Sequence, residues 1–385
     1  MINRIAKDRL VSLAKTFRSV AVVGPRQSGK TTLLRSVFPE KTYVSLGNPD
    51  ILEFATTDPR GFLGQYNKGE GVILDEIQKV PHLFSYLQQF LDETKKKGLY
   101  ILSGSNNFLL QENISQSLSR RIAYLQLLPL SLAELNASPF LKNNYAEHIF
   151  SGGYPEVIAD DISPTDWYPN YISTYIERDV RQIKNINNLM AFTKLLRMCA
   201  GRTGQILNMA SLANDCDIDQ KTVASWLGVL QSSYIIYLLK PYYNNFNKRI
   251  MKSPKLYFYD TGIVCSLLGI KSAEQITLHS AKGALFENLI VSELLKNRLN
   301  IGESDNLYYW RDKTGNEVDI VLENEGKLSA IELKAGETIN TDFFKGLSYF
   351  STISGQNVEN LLIYGGNQTQ NRSNGITVKP WHNFV

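Results

Sequence analysis

SVAVVGPRQSGKTTLLRSVF, residues 19–38, passes from a short apolar run through a glycine- and proline-containing loop into a stretch with helical spacing. Within it GPRQSGKT, Gly24 to Thr31, matches the pattern GxxxxGK[ST] in full. The spacing has a physical reason. Gly24 and Gly29 let backbone N–H groups close around phosphate oxygens, and the helix that follows turns the positive end of its dipole towards them. Pro25, Arg26, Gln27 and Ser28 form the body of the loop, and Thr32 completes it. Lys30 is expected to reach the β and γ phosphates and the Thr31 hydroxyl to hold Mg2+. ATP with Mg2+ is the ligand this pattern implies.

Such a loop needs a buried strand ending in an acid, and GVILDEIQKV, residues 71–80, supplies one. Val72, Ile73 and Leu74 make the strand, Asp75 is placed to hold Mg2+, and Glu76 to polarise the attacking water. The next strand-like run, YILSGSN, offers Ser103, Ser105 or Asn106 as a γ-phosphate sensor. A strand at this point in the order predicts a P-loop ATPase with an additional central strand. Arg120 and Arg121 precede another strand-like run, IAYLQLL. One of them is expected to stabilise the transition state, in cis or across a subunit boundary, and the sequence does not choose between them or exclude a solvated basic pair.

GPRQSGKTTLL, VILDEIQKVP, ILSGSNNFLL, SRRIAYLQLLPLSLAEL, SGGYPEV and YIERDV, in that order, resemble the signature blocks of a prokaryotic AAA-superfamily ATPase family whose members carry a C-terminal domain of unknown function. The resemblance implies an ATPase with a parallel sheet and helices on both faces. AAA relatives often form rings, so a homo-oligomer or a protein partner is a further expectation.

After PLSLAEL the pattern turns helical. YIERDV and the residues before it place Tyr171, Tyr175 and Val180 with their neighbours at helical spacing, with Glu177, Arg178, Asp179 and Arg181 around them as a solvated or interdomain face. Met209–Cys216 and Gln220–Gln231 then read as two helices joined by a turn, with Val223, Leu227 and Leu230 inward. YIIYLLKPYY and RIMKSPKLYFYD add a hairpin, so the expectation is a winged helix-turn-helix. Residues 220–259 hold Lys221, Lys240, Lys248, Arg249, Lys252 and Lys255 and no acid. That charge points to a polyanion, and Lys221, Lys248, Arg249, Lys252 and Lys255 are the expected DNA phosphate contacts. A packing role beside the ATPase is the competing reading.

From residue 281 the order is helix, three strands, helix, strand. This αβββαβ order is similar to the core of PD-(D/E)XK nucleases, a restriction-endonuclease-like fold. Glu332 and Lys334 are two apart and share a strand face, Asp319 lies opposite Val318 and Ile320 on its own strand, and Glu287 falls within a helical stripe formed by Ala284, Ile290, Val291 and Leu294. The resemblance implies that Glu287, Asp319 and Glu332 hold Mg2+ or Mn2+ and that Lys334 places water or neutralises a phosphate. Val318 stands where the family pattern usually has proline.

Composition sets the frame. The chain of 385 residues is 43% hydrophobic and 20% charged, long enough for two or three domains. Three parts are expected: an AAA-like P-loop domain over 1–138, a helical linker with winged helix over 139–275, and a nuclease-like domain over 276–385, with net charges of +5, +2 and −3. Three scattered cysteines and four single histidines offer neither a disulfide framework nor a zinc site. With no signal-peptide pattern and no long apolar run, the expectation is a cytoplasmic protein with no membrane partner. The function expected is ATP hydrolysis coupled to DNA binding, with metal-dependent cleavage as a further activity, or alternatively a nucleotide-controlled interaction switch.

Overall fold

The computed structural model describes residues 2–66, 69–105, 121–180, 186, 188–242, 253–324 and 326–384. These form two compact units: Met1–Leu130 with Ser232–Tyr234 and Arg298–Glu303, and Ser131–Gln231 with Ile235–Asn297 and Ser304–Val385. No helix among the described residues is long and apolar enough to cross a membrane.

The first unit is built on five parallel strands: β1 (Ser19–Val23), β2 (Thr42–Ser45), β3 (Val72–Asp75), β4 (Tyr100–Gly104) and β5 (Ile122–Gln126). Their spatial order is β2-β3-β4-β1-β5, which puts β4 between the loop strand and the Asp–Glu strand, as the chain order predicts. The apolar runs are continuous because both faces are covered. Val20, Val22, Ile73 and Ile101 pack with Ala6, Leu10 and Leu13 of helix Ala6–Thr16 and with Leu33 and Leu34 of helix Lys30–Val37. Leu74 and Leu102, one residue on, are equally buried and therefore line the other face.

In the second unit eight strands form one sheet. They are β6 (Ile236–Pro241), β7 (Lys255–Phe258), β8 (Leu307–Arg311), β9 (Glu317–Asn324), β10 (Lys327–Lys334), β11 (Val358–Tyr364), β12 (Gln370–Asn371) and β13 (Ile376–Pro380), in the order β12-β13-β11-β10-β9-β8-β6-β7. Helix Lys345–Ser354 covers one face through Leu347 and Phe350, which pack with Trp310, Val318, Ala330 and Leu362. The expected order of helix, three strands, helix and strand is present. So are helices Met209–Cys216 and Gln220–Ser232, the second burying Val223, Trp226, Leu227 and Leu230.

The β6–β7 pair does not stand apart as a wing. β6 also runs parallel to β8, through Lys240 opposite Tyr308 and Pro241 opposite Tyr309. Segment 204–206 flanks β7 from its other side: the Gly204 N–H donates to the Leu256 carbonyl, and the Leu256 N–H to that of Gln205. Helix Pro164–Tyr171 continues as a π-helical segment, Ile172–Val180. Its Trp167 and Tyr171 rings stack with centroids 4.9 Å apart, while Arg181 lies outside the described residues.

SGGYPEV resolves into a polar clamp. Asp260, 1% exposed, accepts from the Tyr168 hydroxyl at 2.8 Å, the Gly153 N–H at 2.7 Å and the Gly262 N–H at 2.9 Å. The Tyr168 ring leaves no room beside it: a Cβ on Gly152 would stand 2.0 Å from its hydroxyl, and one on Gly262 2.1 Å from its Cζ.

Nearby in the chain, His148 is 1% exposed on helix Tyr145–Ser151 and its Nδ1 has no hydrogen-bond partner among the described residues. Burial, with Lys296 and Lys142 adding to it, pushes its pKa down to about 3. A histidine depressed in the folded state costs stability below its unfolded pKa of about 6.5, by up to about 1.4 kcal/mol per pH unit until the folded pKa is reached. His148→Phe should therefore gain on the wild type as pH falls from 6.5 to 4. Urea unfolding of both proteins across that range checks it, and a constant difference would refute it.

Candidate functional site

The loop after β1 has the backbone its residue types allow. Gly24 is fixed by close approach, since a Cβ there would stand 2.1 Å from the Leu127 carbonyl oxygen. Gly29 takes a left-handed φ of 88° at the start of helix Lys30–Val37, and Gln27 a φ of 59°. Arg4 braces the loop from outside, donating to the Ser28 and Leu128 carbonyls at 2.7 Å each. Pro25 and Ser28 are buried, Arg26 is half-buried, and Gln27 and Thr32 are exposed.

Lys30 Nζ is buried and donates to the carbonyls of Gly24 at 3.0 Å and Pro25 at 2.7 Å. Burial lowers its pKa to about 8, with Glu76 and Asp75 pulling the other way. Asp75, at the end of β3, is the hub. Its carboxylate accepts from the Thr31 hydroxyl at 2.9 Å, the Tyr43 hydroxyl at 2.7 Å, the Glu76 N–H at 3.0 Å and the Ser103 hydroxyl. Burial and that contact with Asp75 push the Tyr43 phenol up to about 12. Glu76 stands at a left-handed φ of 57°, a conformation that costs a non-glycine residue about 1–3 kcal/mol, and Gln78 donates to its carboxylate. These residues fit a Mg2+–nucleotide complex: an acid and a hydroxyl side by side, a lysine beside the loop amides, and a second acid after them.

Ser103, expected as a phosphate sensor, is bound to Asp75, while Ser105 accepts from Gln78 at 3.4 Å. Arg120 and Asn106 lie outside the described residues. Arg121 departs from its expectation in cis. Register puts Ile122 beside Ser19, at the end of the sheet opposite the loop, so Arg121 lies roughly 15 Å from it along the strands at about 3.3 Å per residue. Its guanidinium is bound to Asp92, at 2.5 and 3.0 Å.

A second cluster lies in the other unit. Extending the β9–β10 register, in which Ile320 faces Ile331, sets Asp319 opposite Glu332. Asp319 accepts the Leu333 N–H at 2.8 Å, and Lys334 Nζ donates to Glu332 at 2.6 Å. With Lys255, Glu287 and Glu317 these groups line a cavity of about 370 Å³. Burial, then Asp319, raises Glu332 to about 8. Burial also raises Glu287, with Lys255 drawing it back. For Lys334, Asp319 and Glu332 outweigh a burial that alone would lower it.

Two of the nucleic-acid and metal expectations are corrected here. Lys255 is no surface contact: it is 3% exposed, with Nζ 2.9 Å from Glu287 and 2.6 Å from Glu317, because β7 joins the sheet and points it inward. Glu287, expected as a metal ligand, instead pairs with protein groups here: its Oε1 accepts from Lys255 and from the Tyr257 hydroxyl. No group of three or more acidic, histidine or cysteine side chains that could hold a metal occurs among the described residues. The Asp319–Glu332 pair by itself fits a Mg2+ or Mn2+ that keeps most of its waters. Lys221 is exposed on its helix, while Lys248, Arg249 and Lys252 lie outside the described residues. Sequence reasoning missed Arg4, Tyr43, Gln78, Tyr257, Glu317 and the role of Lys255, none of which belongs to a spaced motif.

Three family models match successive segments of the chain. Residues 16–136 match a family model described as AAA domain, residues 142–274 one described as Domain of unknown function (DUF8612), and residues 282–384 one described as Domain of unknown function (DUF4143). The chain is similar to an uncharacterized protein of Mycobacterium tuberculosis, 29% identical over 342 residues, which are 87% of this chain and 74% of that one. An uncharacterized protein of Methanocaldococcus jannaschii is 24% identical over 359 residues, 85% and 76% of the two chains. Among solved structures, a Walker-type ATPase of Pyrococcus abyssi has 14% identity and a TM-score of 0.44, covering 70% of this chain and 96% of its own. The Thermotoga maritima RuvB Holliday junction branch migration motor has 16% identity and a TM-score of 0.31, covering 61% and 89%. Likenesses that distant bear no weight. The first unit has a parallel sheet with a phosphate-loop sequence after its first strand, and it is similar to an AAA domain over residues 16–136.

With its guanidinium held by Asp92 at the far end of the sheet, Arg121→Ala should leave the ATP turnover of dilute protein within about twofold of wild type, against the 10³–10⁵ of an arginine finger. A fall of a hundredfold in a steady-state phosphate-release assay would show that it reaches a site after all.

Proposed function

We propose that this chain binds and hydrolyses ATP and couples that cycle to DNA held by its second unit. The observation that carries the ATPase half is Asp75 accepting the Thr31 hydroxyl beside the buried Lys30. Lys30 would exchange its two carbonyl partners for β- and γ-phosphate oxygens, the loop amides would hold the remaining oxygens, and Thr31 with Asp75 would hold Mg2+. When bound, Mg2+ neutralises charge on the phosphates. Glu76 would accept a proton from the attacking water as its oxygen bonds to the γ-phosphorus and ADP departs. Gln78 would release the Glu76 carboxylate for that step.

For DNA, support comes from the helix pair Met209–Cys216 and Gln220–Ser232, read as a helix-turn-helix, with exposed Lys221 in an acid-free stretch. Phosphate contacts there would give affinity with little sequence preference. In the nuclease-like fold of the C-terminal part, Asp319 and Glu332 would hold Mg2+ or Mn2+, which when bound lowers the pKa of a coordinated water. Lys334 would sit beside the scissile phosphate. A second reading, an interaction switch that cuts nothing, is favoured by the acids around this cavity and by the lysine already among them.

Lys30→Ala should abolish ATP binding in equilibrium titration, and Glu76→Gln should retain ATP while slowing turnover by about 10²–10⁴. Unchanged hydrolysis in either variant would remove that residue from the site. Fluorescence anisotropy with a labelled duplex should show affinity falling steeply with salt. Absence of binding at low salt would leave the switch as the reading.

A further inference from the structure

Lys255 stands on β7, outside the helix and the two strands that carry the acids of the pocket. Its Nζ lies 2.9 Å from Glu287, 2.6 Å from Glu317 and 3.9 Å from Asp319. A lysine buried this deeply persists only when its charge is matched, and the three carboxylates match it. Segment 204–206 fixes its backbone, with Ile206 bridged to Lys255 itself. The ammonium therefore occupies the side of Asp319 that a second cation would share.

We propose that Lys255 is the pocket's built-in cation, a positioning residue that holds Glu287, Glu317 and Asp319 together and sets how tightly the Asp319–Glu332 pair binds a divalent metal. This rests on the reading of that pair as a metal site. A unit charge and a divalent ion that share one carboxylate repel each other, so the metal binds only against Lys255. Lys255 thus offsets part of the pocket's negative charge from within, and the metal affinity is set by a strand that contributes no metal ligand.

The test is Mn2+ binding to the full chain with no nucleotide added, followed by electron paramagnetic resonance of free Mn2+. Lys255→Met should tighten binding by about tenfold or more, Lys255→Arg should match wild type, and adding Asp319→Ala to Lys255→Met should abolish the gain. A purely packing role would not separate the methionine from the arginine variant in this direction. Should Lys255→Met fail to fold by circular dichroism, Lys255→Met/Glu287→Gln compared with Glu287→Gln makes the same comparison with one acid fewer. Binding that depends on Asp319 but is no tighter without Lys255 overturns the proposal and leaves the metal pair standing. Absence of Asp319-dependent binding in every variant overturns both.

Discussion

A charge taken out of water has to be matched where it stands, and each unit is organised around one such charge. In the first, the Asp75 carboxylate at the end of β3 gathers the hydroxyls of Thr31, Tyr43 and Ser103, which come from the loop helix, β2 and β4. Parallel register brings Tyr43 and Ser103 to the end of the sheet where Asp75 stands, and the helix after the loop brings Thr31 there. In the second, Lys255 joins β7 to helix Lys282–Asn300, through Glu287, and to β9. Pairing between β6 and β8 involves two residue pairs, and the Lys255 ion pairs add a further link between hairpin and sheet.

How much of this could be read from the chain depends on distance along it. The phosphate loop was legible because its chemistry needs fixed residue types at fixed spacing within eight positions. The place of β4 was legible from strand order. Asp319, Glu332 and Lys334 could be put on shared faces because strand side chains alternate, and the register bears that geometry out by setting Asp319 opposite Glu332. The helix acid Glu287, placed by its spacing in the apolar stripe of its helix, meets a lysine and a tyrosine from β7 there.

What escaped was set by pairing between segments far apart. Lys255 reads as one of a row of basic residues until β7 is seen to join a sheet that buries it, and a row of like charges says nothing about which member turns inward. Arg121 reads as a finger because it precedes a strand near the end of the ATPase part. Only register shows that the start of β5 is the wrong edge. Tyr43 and Gln78 belong to no motif, and their contacts with Asp75 and Glu76 follow from β2 lying beside β3 and from the turn after it.

The clamp around Asp260 has a consequence of a different kind. Gly152, Tyr168, Asp260 and Gly262 span more than a hundred positions, yet each excludes alternatives at the others, because the tyrosine ring fills the space that either glycine's side chain would need. Substitution at one of the four would be tolerated only with compensation at another. Relatives that keep the clamp should change these positions together, so their joint drift would mark this unit even where its helices have diverged.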